Sequence, residues 1–328
     1  MVNIDIELFK SILAIESTSG GERRLSEWLK GRLEAPVVRR FEVGDGTENL
    51  LLTWGTPKVV FCTHMDTVPP YIAPRFEGDM VYGRGACDAK GQIVSMYAAC
   101  KALEAEGELG FGLLLLSGEE TGSFGAKAFA KEAFSATYLI VGEPTELKMV
   151  SASKGTKSFD LKFKGEAFHS GYPQYGRSAV SMFVEFMNSL DAAAFPEDPL
   201  LGATTWNVGL LRSDNPQNVL SPELSCRIYF RTTFASDEAV KEFMARPREG
   251  VEVSPRGGDM PAKYLTIPGF ASGPASFGTD APHLSNFAYK AIFGSGSIRH
   301  AHRDDEQVSI RDLEMAAESY VRMFKHLY

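Results

Sequence analysis

His64 and Asp66 stand two residues apart at the end of a short apolar run, residues 59–62, and Pro69-Pro70 closes the segment. On extended backbone, side chains two apart point the same way. An imidazole beside a carboxylate is a pairing that binds a divalent metal: one ring nitrogen coordinates and the carboxylate holds the other. Asp88 follows in a glycine-rich turn, residues 82–91, just before a helical pattern. More carboxylates end other apolar runs: Glu119-Glu120 after residues 113–116, and Glu143 after 139–141. Near the end, residues 299–306 offer His300 and His302, and spacing alone does not choose between them. So many carboxylates with few cations repel one another strongly. A divalent metal resolves that conflict. Imidazole with carboxylate suits zinc, and more than four ligand groups with one shareable carboxylate suit a two-metal site.

Each residue also has a plainer reading. A lone histidine at a strand end is usually a satisfied polar group, and Asp88 alone reads as a turn or helix-cap residue. Glu119-Glu120 alone reads as a solvated helix start, because acids favour helix N-termini. Gly83, Gly85 and Gly91 fit neither the dinucleotide nor the P-loop pattern. What outweighs these readings is placement. All the acids follow predicted strands or open helices, and in a parallel sheet those strand ends share one edge.

The elements that must do the positioning alternate. Helical spacing appears over Ile6, Phe9, Ile12 and Leu13, and again over Leu25, Trp28, Leu29 and Leu33. Strands are expected at 37–41, 50–53 and 59–62, a helix at 92–106, a buried strand at 112–117, a helix at 124–131 and a strand at 138–141. Strand and helix in alternation predict an α/β fold, a mostly parallel sheet covered by helices. From residue 158 the pattern changes. A half-exposed strand at 158–164 precedes a helix at 178–190, strands at 204–211 and 224–232, a helix at 237–244 and a strand at 251–254. That βαββαβ order is the ferredoxin-like α+β motif. Residues 254–278, rich in Gly, Pro, Ser and Ala, read as a return linker. A strand at 290–293 and a helix striped by Leu313, Ala317, Tyr320, Phe324 and Leu327 finish the chain, with Ser309 placed as its cap. The expected division is a discontinuous catalytic domain, residues 1–155 and 257–328, and an inserted domain, residues 156–256.

Composition narrows the partners. The 328 residues are 44% apolar and 23% charged, with net charge -8, which argues against a nucleic-acid surface. No apolar run approaches the roughly 20 residues of a membrane span, and residues 1–5 lack the features of a signal peptide. Four widely spaced cysteines without a CxxC pair fit a reduced, cytoplasmic protein.

Five motifs in order resemble the co-catalytic zinc hydrolases that include carboxypeptidase G, aminoacylase, acetylornithine deacetylase, succinyl-diaminopimelate desuccinylase and the tripeptidases. His-x-Asp-x-Val-Pro stands as His64 to Pro69. Gly-x-Asp-x-Lys-Gly stands as Ala86 to Gly91, with alanine first. Glu-Glu-x-Gly is Glu119 to Gly122, Gly-Glu-Pro-Thr is Gly142 to Thr145, and Ala-His-x-x-Asp-Glu is Ala301 to Glu306. The resemblance implies that His64, Asp88 and Glu143 hold one zinc, and Asp88, Glu120 and His302 the other, with cobalt or manganese as alternatives. It implies that Asp66 orients His64 and that Glu119 is the general base and acid. His169 would stabilise an oxyanion, often from a partner subunit of a homodimer formed through the inserted domain, which also acts as a lid. Arg231, Asn218, Gly278 and Thr279 resemble substrate-binding positions, although the usual Asn-x-x-Pro is broken after Asn218 by Ser221-Pro222. The expected activity is that of a di-zinc amidohydrolase on a small N-acyl amino acid, acetylornithine deacetylase-like because the chain is compact. A di- or tripeptidase with the same site is the alternative, and a non-catalytic binding protein of the same fold the third reading.

Overall fold

The computed structural model describes residues 2–44 and 46–328 and divides into two compact units. One comprises Met1–Ser151, Tyr264–Gly273 and Thr279–Tyr328, and the other Ala152–Lys263 and Pro274–Gly278.

The first unit is built on a six-stranded sheet. Its order is Val37–Gly44, Thr47–Trp54, Phe111–Leu116, Val59–His64, Ala136–Val141 and Phe287–Ile292. The last four strands run parallel, and the first two form an antiparallel hairpin added to that edge. Val59–His64 and Phe111–Leu116 are buried at every residue, which explains their unbroken apolar runs. Alternate residues Val59, Phe61, Leu113 and Leu115 join a core with the helices Ile6–Ala14, Lys90–Ala105 and Ile310–Leu327. Val60, Cys62, Leu114 and Leu116 are buried on the other face. Ser309 caps the last helix, its hydroxyl accepting from the Asp312 amide at 2.9 Å. Tyr320 on that helix sits 5.5 Å from the ring of Phe61 and donates its hydroxyl to the carbonyl of Phe293.

Three very short strands escape sequence reading. Arg75–Glu77, Met80–Tyr82 and Gln307–Ser309 make a small antiparallel sheet, in which Gln307 pairs with Tyr82. This ladder carries the late segment around His302 to the turn that holds Asp88. The stretch expected to be pure linker contains the strands Ala262–Lys263 and Ser272–Ala275.

The second unit has a four-stranded antiparallel sheet in the order Thr205–Arg212, Glu223–Thr232, Gly155–Lys164, Val251–Gly257. With the helices Ala179–Asp191 and Asp237–Ala245, this is the ferredoxin-like arrangement. One face carries Phe159, Leu161, Phe163, Ile228 and Phe230 into a core with Phe186 and Phe243 from the helices. The opposite face is polar, and there Arg227 pairs with Asp160 at 2.6 Å. All four cysteines of the chain are free and buried. Among the described residues, no helix is long and apolar enough to cross a membrane.

Candidate metal centre

Three neighbouring parallel strands, Phe111–Leu116, Val59–His64 and Ala136–Val141, deliver their C-terminal ends to one edge. His64 is the last residue of its strand and pairs with Leu116, three residues before Glu119. Val141 pairs with Cys62, so Glu143 lies at the level of His64. Asp88 ends the turn before helix Lys90–Ala105, and its peptide to Ala89 is cis. Gly91, at the start of that helix, has no room for a side chain: a Cβ would lie 2.3 Å from the Ala86 carbonyl oxygen. Lys90 is buried with its ammonium on the Ile15 carbonyl at 2.6 Å, and burial lowers its pKa to about 8.

The side chains converge as three overlapping groups: His64, Glu119 and Glu120 form one, and the other two are triads that share the Asp88 carboxylate. His64, Asp88 and Glu143 bring ligand atoms within 4.8 Å of one another, and so do Asp88, Glu120 and His302. His64 Nε2 faces Asp88 Oδ1 at 3.0 Å, while His302 Nε2 faces Asp88 Oδ2 at 3.3 Å and Glu120 Oε1 at 2.9 Å. His300 takes no part in either triad and pairs through Nδ1 with the Gln307 amide at 3.2 Å. His302 adopts a left-handed backbone, φ 65, uncommon outside glycine and frequent at functional sites.

The donor set fits a divalent metal. His64 Nδ1 lies 2.9 Å from the main-chain oxygen of Asp66. A carbonyl only accepts, so that nitrogen carries the proton and the Nε2 lone pair points at the Asp88 carboxylate. Two acceptors at that distance require positive charge between them. The same demand shows in the protonation equilibria. Burial would lower the His64 pKa, but hydrogen bonds to Asp66 and Asp88 raise it well above the usual imidazole range. Hydrogen bonds to Asp88 and Glu120 push His302 up to about 10. Asp88 is held well below an ordinary carboxylate: burial opposes this, but the bonds with His302 and His64 outweigh it. Glu119 and Glu143 are pushed far upward, chiefly by lost hydration and also by neighbouring acids. Bound cations invert this logic and let the carboxylates ionise.

The Asp66 carboxylate does more than face His64, from which its Oδ1 lies 3.4 Å. Oδ1 accepts the Glu119 amide at 3.0 Å, Oδ2 accepts the Glu120 amide at 3.1 Å, and Ser19 donates to Oδ2 at 2.8 Å. Two further amides of this loop are held by side chains that sequence reading missed. Ser117 donates to Asn49 Oδ1 at 3.0 Å and Gly118 to Glu22 Oε1 at 3.0 Å. Four successive N–H groups are thus fixed by Asn49, Glu22 and Asp66. Asp280 was missed as well: it is buried, its Oδ1 has no partner, and burial raises its pKa to about 6.

Of the remaining sequence candidates, Thr279 belongs to the unit of the metal centre and caps a short turn, accepting the Ala281 amide at 3.1 Å. His169, Asn218, Arg231 and Gly278 belong to the inserted unit. There the segments of His169 and Asn218 are adjacent, with Ser170 donating to the Asn218 carbonyl at 2.9 Å. Arg231 lies on strand Glu223–Thr232 with its guanidinium 5.0 Å from the Tyr229 ring centroid.

Parallel strands with imidazoles and carboxylates at their ends, two triads joined by one acid and Glu119 beside them are the arrangement of a metal-dependent hydrolase. The chain belongs to peptidase family M20/M25/M40, whose model matches residues 60–326. It is 33% identical to a peptidase M20 domain-containing protein of Schizosaccharomyces pombe, over 97% of this chain and 83% of that one. It is 29% identical to a probable carboxypeptidase of Aspergillus oryzae, over 98% of this chain and 86% of the relative. The fold matches a tripeptidase of Staphylococcus aureus with TM-score 0.84 and 19% identity, covering 99% of each chain. The protein is therefore a hydrolase of amide or peptide bonds.

Proposed function

We propose that the chain hydrolyses the amide next to a free carboxylate, releasing an amino acid from a short peptide or from an N-acyl amino acid. One observation carries this reading: both oxygens of Asp88 face a histidine Nε2, with Glu119 adjoining. His64, Asp88 and Glu143 would hold one divalent ion and Asp88, Glu120 and His302 a second, zinc in the first place. Such ions polarise the scissile carbonyl and acidify water. Glu119, its amide held by Asp66, takes the proton from the attacking water and returns it to the leaving amine. Burial among other acids raises its proton affinity, which suits a group that must both accept and donate. Arg231, with Asn218, Gly278 and Thr279, would receive the substrate, the guanidinium gripping its carboxylate.

The peptide substrate is favoured by the likeness to a probable carboxypeptidase and to a tripeptidase. The acetylornithine deacetylase-like substrate uses the same site and differs only on the acyl side. Screening separates them: metal-loaded protein is assayed on dipeptides, tripeptides, N-acetyl and N-succinyl amino acids, each also as the C-terminal amide. Hydrolysis should stop on chelation and fall when the carboxylate is amidated. Full metal content without turnover on any substrate would favour a binding protein of the same fold.

A homodimer through the inserted unit is part of the same proposal. Helix Ala179–Asp191 leaves Val180 and Val184 exposed one turn apart, and the edge strand Thr205–Arg212 exposes Leu210 and Leu211. Unpaired strand edges and apolar ridges are what a two-fold partner covers.

A further inference from the structure

Glu306 closes the last of the five motifs, yet it belongs to neither triad. It is fully buried, and both carboxylate oxygens are committed. Oε1 accepts two successive amides, from Cys87 at 3.2 Å and from Asp88 at 3.1 Å. Oε2 accepts from Arg84 Nη1 at 2.7 Å. Arg84, equally buried, uses the rest of its fork on the carbonyls of Arg303, 3.1 Å from Nη1, and Pro70, 3.2 Å from Nε. One ion pair thus grips the backbone of Asp88 on one side and the residue after His302 on the other.

We propose that Glu306 and Arg84 are positioning residues, a clamp that sets the distance between Asp88 and His302 and so prepares the second triad for its ion. This rests on the metal reading above. The chemistry of the pair supports it. A buried Arg–Glu pair adds little net stability compared with an apolar pair of the same size, because desolvating two charges offsets their attraction. What it does supply is fixed geometry: one guanidinium N–H meets one carboxylate oxygen, while the other oxygen and the Arg84 Nε and Nη1 groups are each held by main chain. Here that arrangement holds the main chain at two of the three ligands of the second triad. The first triad depends on it less, since His64 and Glu143 are placed by their own strands. Outer-shell partners of metal ligands act in this way, and their loss typically weakens metal affinity roughly 10- to 100-fold.

The test is a cobalt or zinc titration of the apoprotein by calorimetry, with the visible cobalt spectrum and thermal melting as companions. It uses wild type, Glu306→Gln and the double variant Arg84→Met/Glu306→Leu. The double variant leaves no buried charge unpaired but orphans the Cys87 and Asp88 amides, so its apo melting temperature should fall by a few degrees while the apoprotein still melts cooperatively. Its second ion should nevertheless bind roughly 10- to 100-fold more weakly, with the first ion changed far less. Glu306→Gln should show the same selective loss, smaller in size, because its amide oxygen still accepts from the Asp88 turn. Wild-type affinity for the second ion in either folded variant overturns the clamp, and so does an equal loss of both ions. Should the double variant fail to fold, Glu306→Gln decides by the same criterion. If wild type itself binds only one ion, the two-ion reading fails, an outcome distinct from failure of the clamp.

Discussion

Glu119 and Asp66 illustrate how a side chain's partners decide its work. Glu119 lies outside the two triads that share Asp88 but within ligand distance of His64 and Glu120, and Asp66 fixes its main chain. Glu119→Gln should keep its metal content while turnover falls roughly 10²–10⁴-fold, the range for a lost general base. Loss of metal with activity would make Glu119 a ligand instead. Asp66→Asn asks a different question. Asparagine has one acceptor oxygen for two amides, and its NH2 would face an N–H. Turnover should drop by about 10- to 100-fold, equivalent to about 1–3 kcal/mol for one unmet buried partner. Metal binding should persist, because His64 Nδ1 is held by the main-chain oxygen of residue 66. Variant protein that loses its metal would show that the carboxylate orients His64 after all. His64, Glu120 and Glu143 were legible as candidate ligands because each follows an apolar run, whereas Asp88 and His302 stood out only through the motifs they belong to. Glu22 and Asn49 were not legible, since a lone acid at a helix start or an amide within a strand carries no signature of the loop it will hold.

At the scale of elements, long buried segments were readable and short ones were not. Four consecutive leucines, Leu113 to Leu116, leave a strand buried on both faces as the economical interpretation. Arg75–Glu77 and Gln307–Ser309 have three residues each, too few for any periodicity, and exist because they pair with Met80–Tyr82. The close approach at Gly91 was equally hidden, because spacing does not report what a Cβ would meet. Gly91→Ala should destabilise the fold by about 1–3 kcal/mol, the usual cost of overpacking, since the obstacle is the rigid Ala86 carbonyl. Denaturant titration of the apoprotein measures it, and a change within about 0.5 kcal/mol of wild type would mean that the helix start yields freely.

For the whole molecule, the change from buried runs to half-exposed alternation marked the inserted unit in the sequence, because its sheet is covered by helices on one face only. The glycine- and proline-rich return hid its short strands, whose partners lie far away in sequence. If two inserted units pair so that His169 serves the partner's site, His169→Ala and Glu119→Gln should each be nearly inactive alone. Mixed dimers of the two restore one complete site. With random subunit exchange, half the dimers are mixed and one site in each is repaired, giving about a quarter of wild-type activity. Mixed dimers that form and stay inactive would remove His169 from the reaction across the interface.

The clamp joins residues separated by 218 positions, Asp88 and Glu306. A ribosome adding about 5–20 residues per second makes Asp88 some 10–40 s before His302, which completes the second triad, and Glu306, which clamps it. Until residue 302 is made, His64 is the one imidazole among the candidate ligands, so acquiring the second ion is a late event in biosynthesis. Full-length protein with His302→Ala should therefore retain at most one ion on equilibrium dialysis, and recovery of two from it would show that His302 is dispensable for loading.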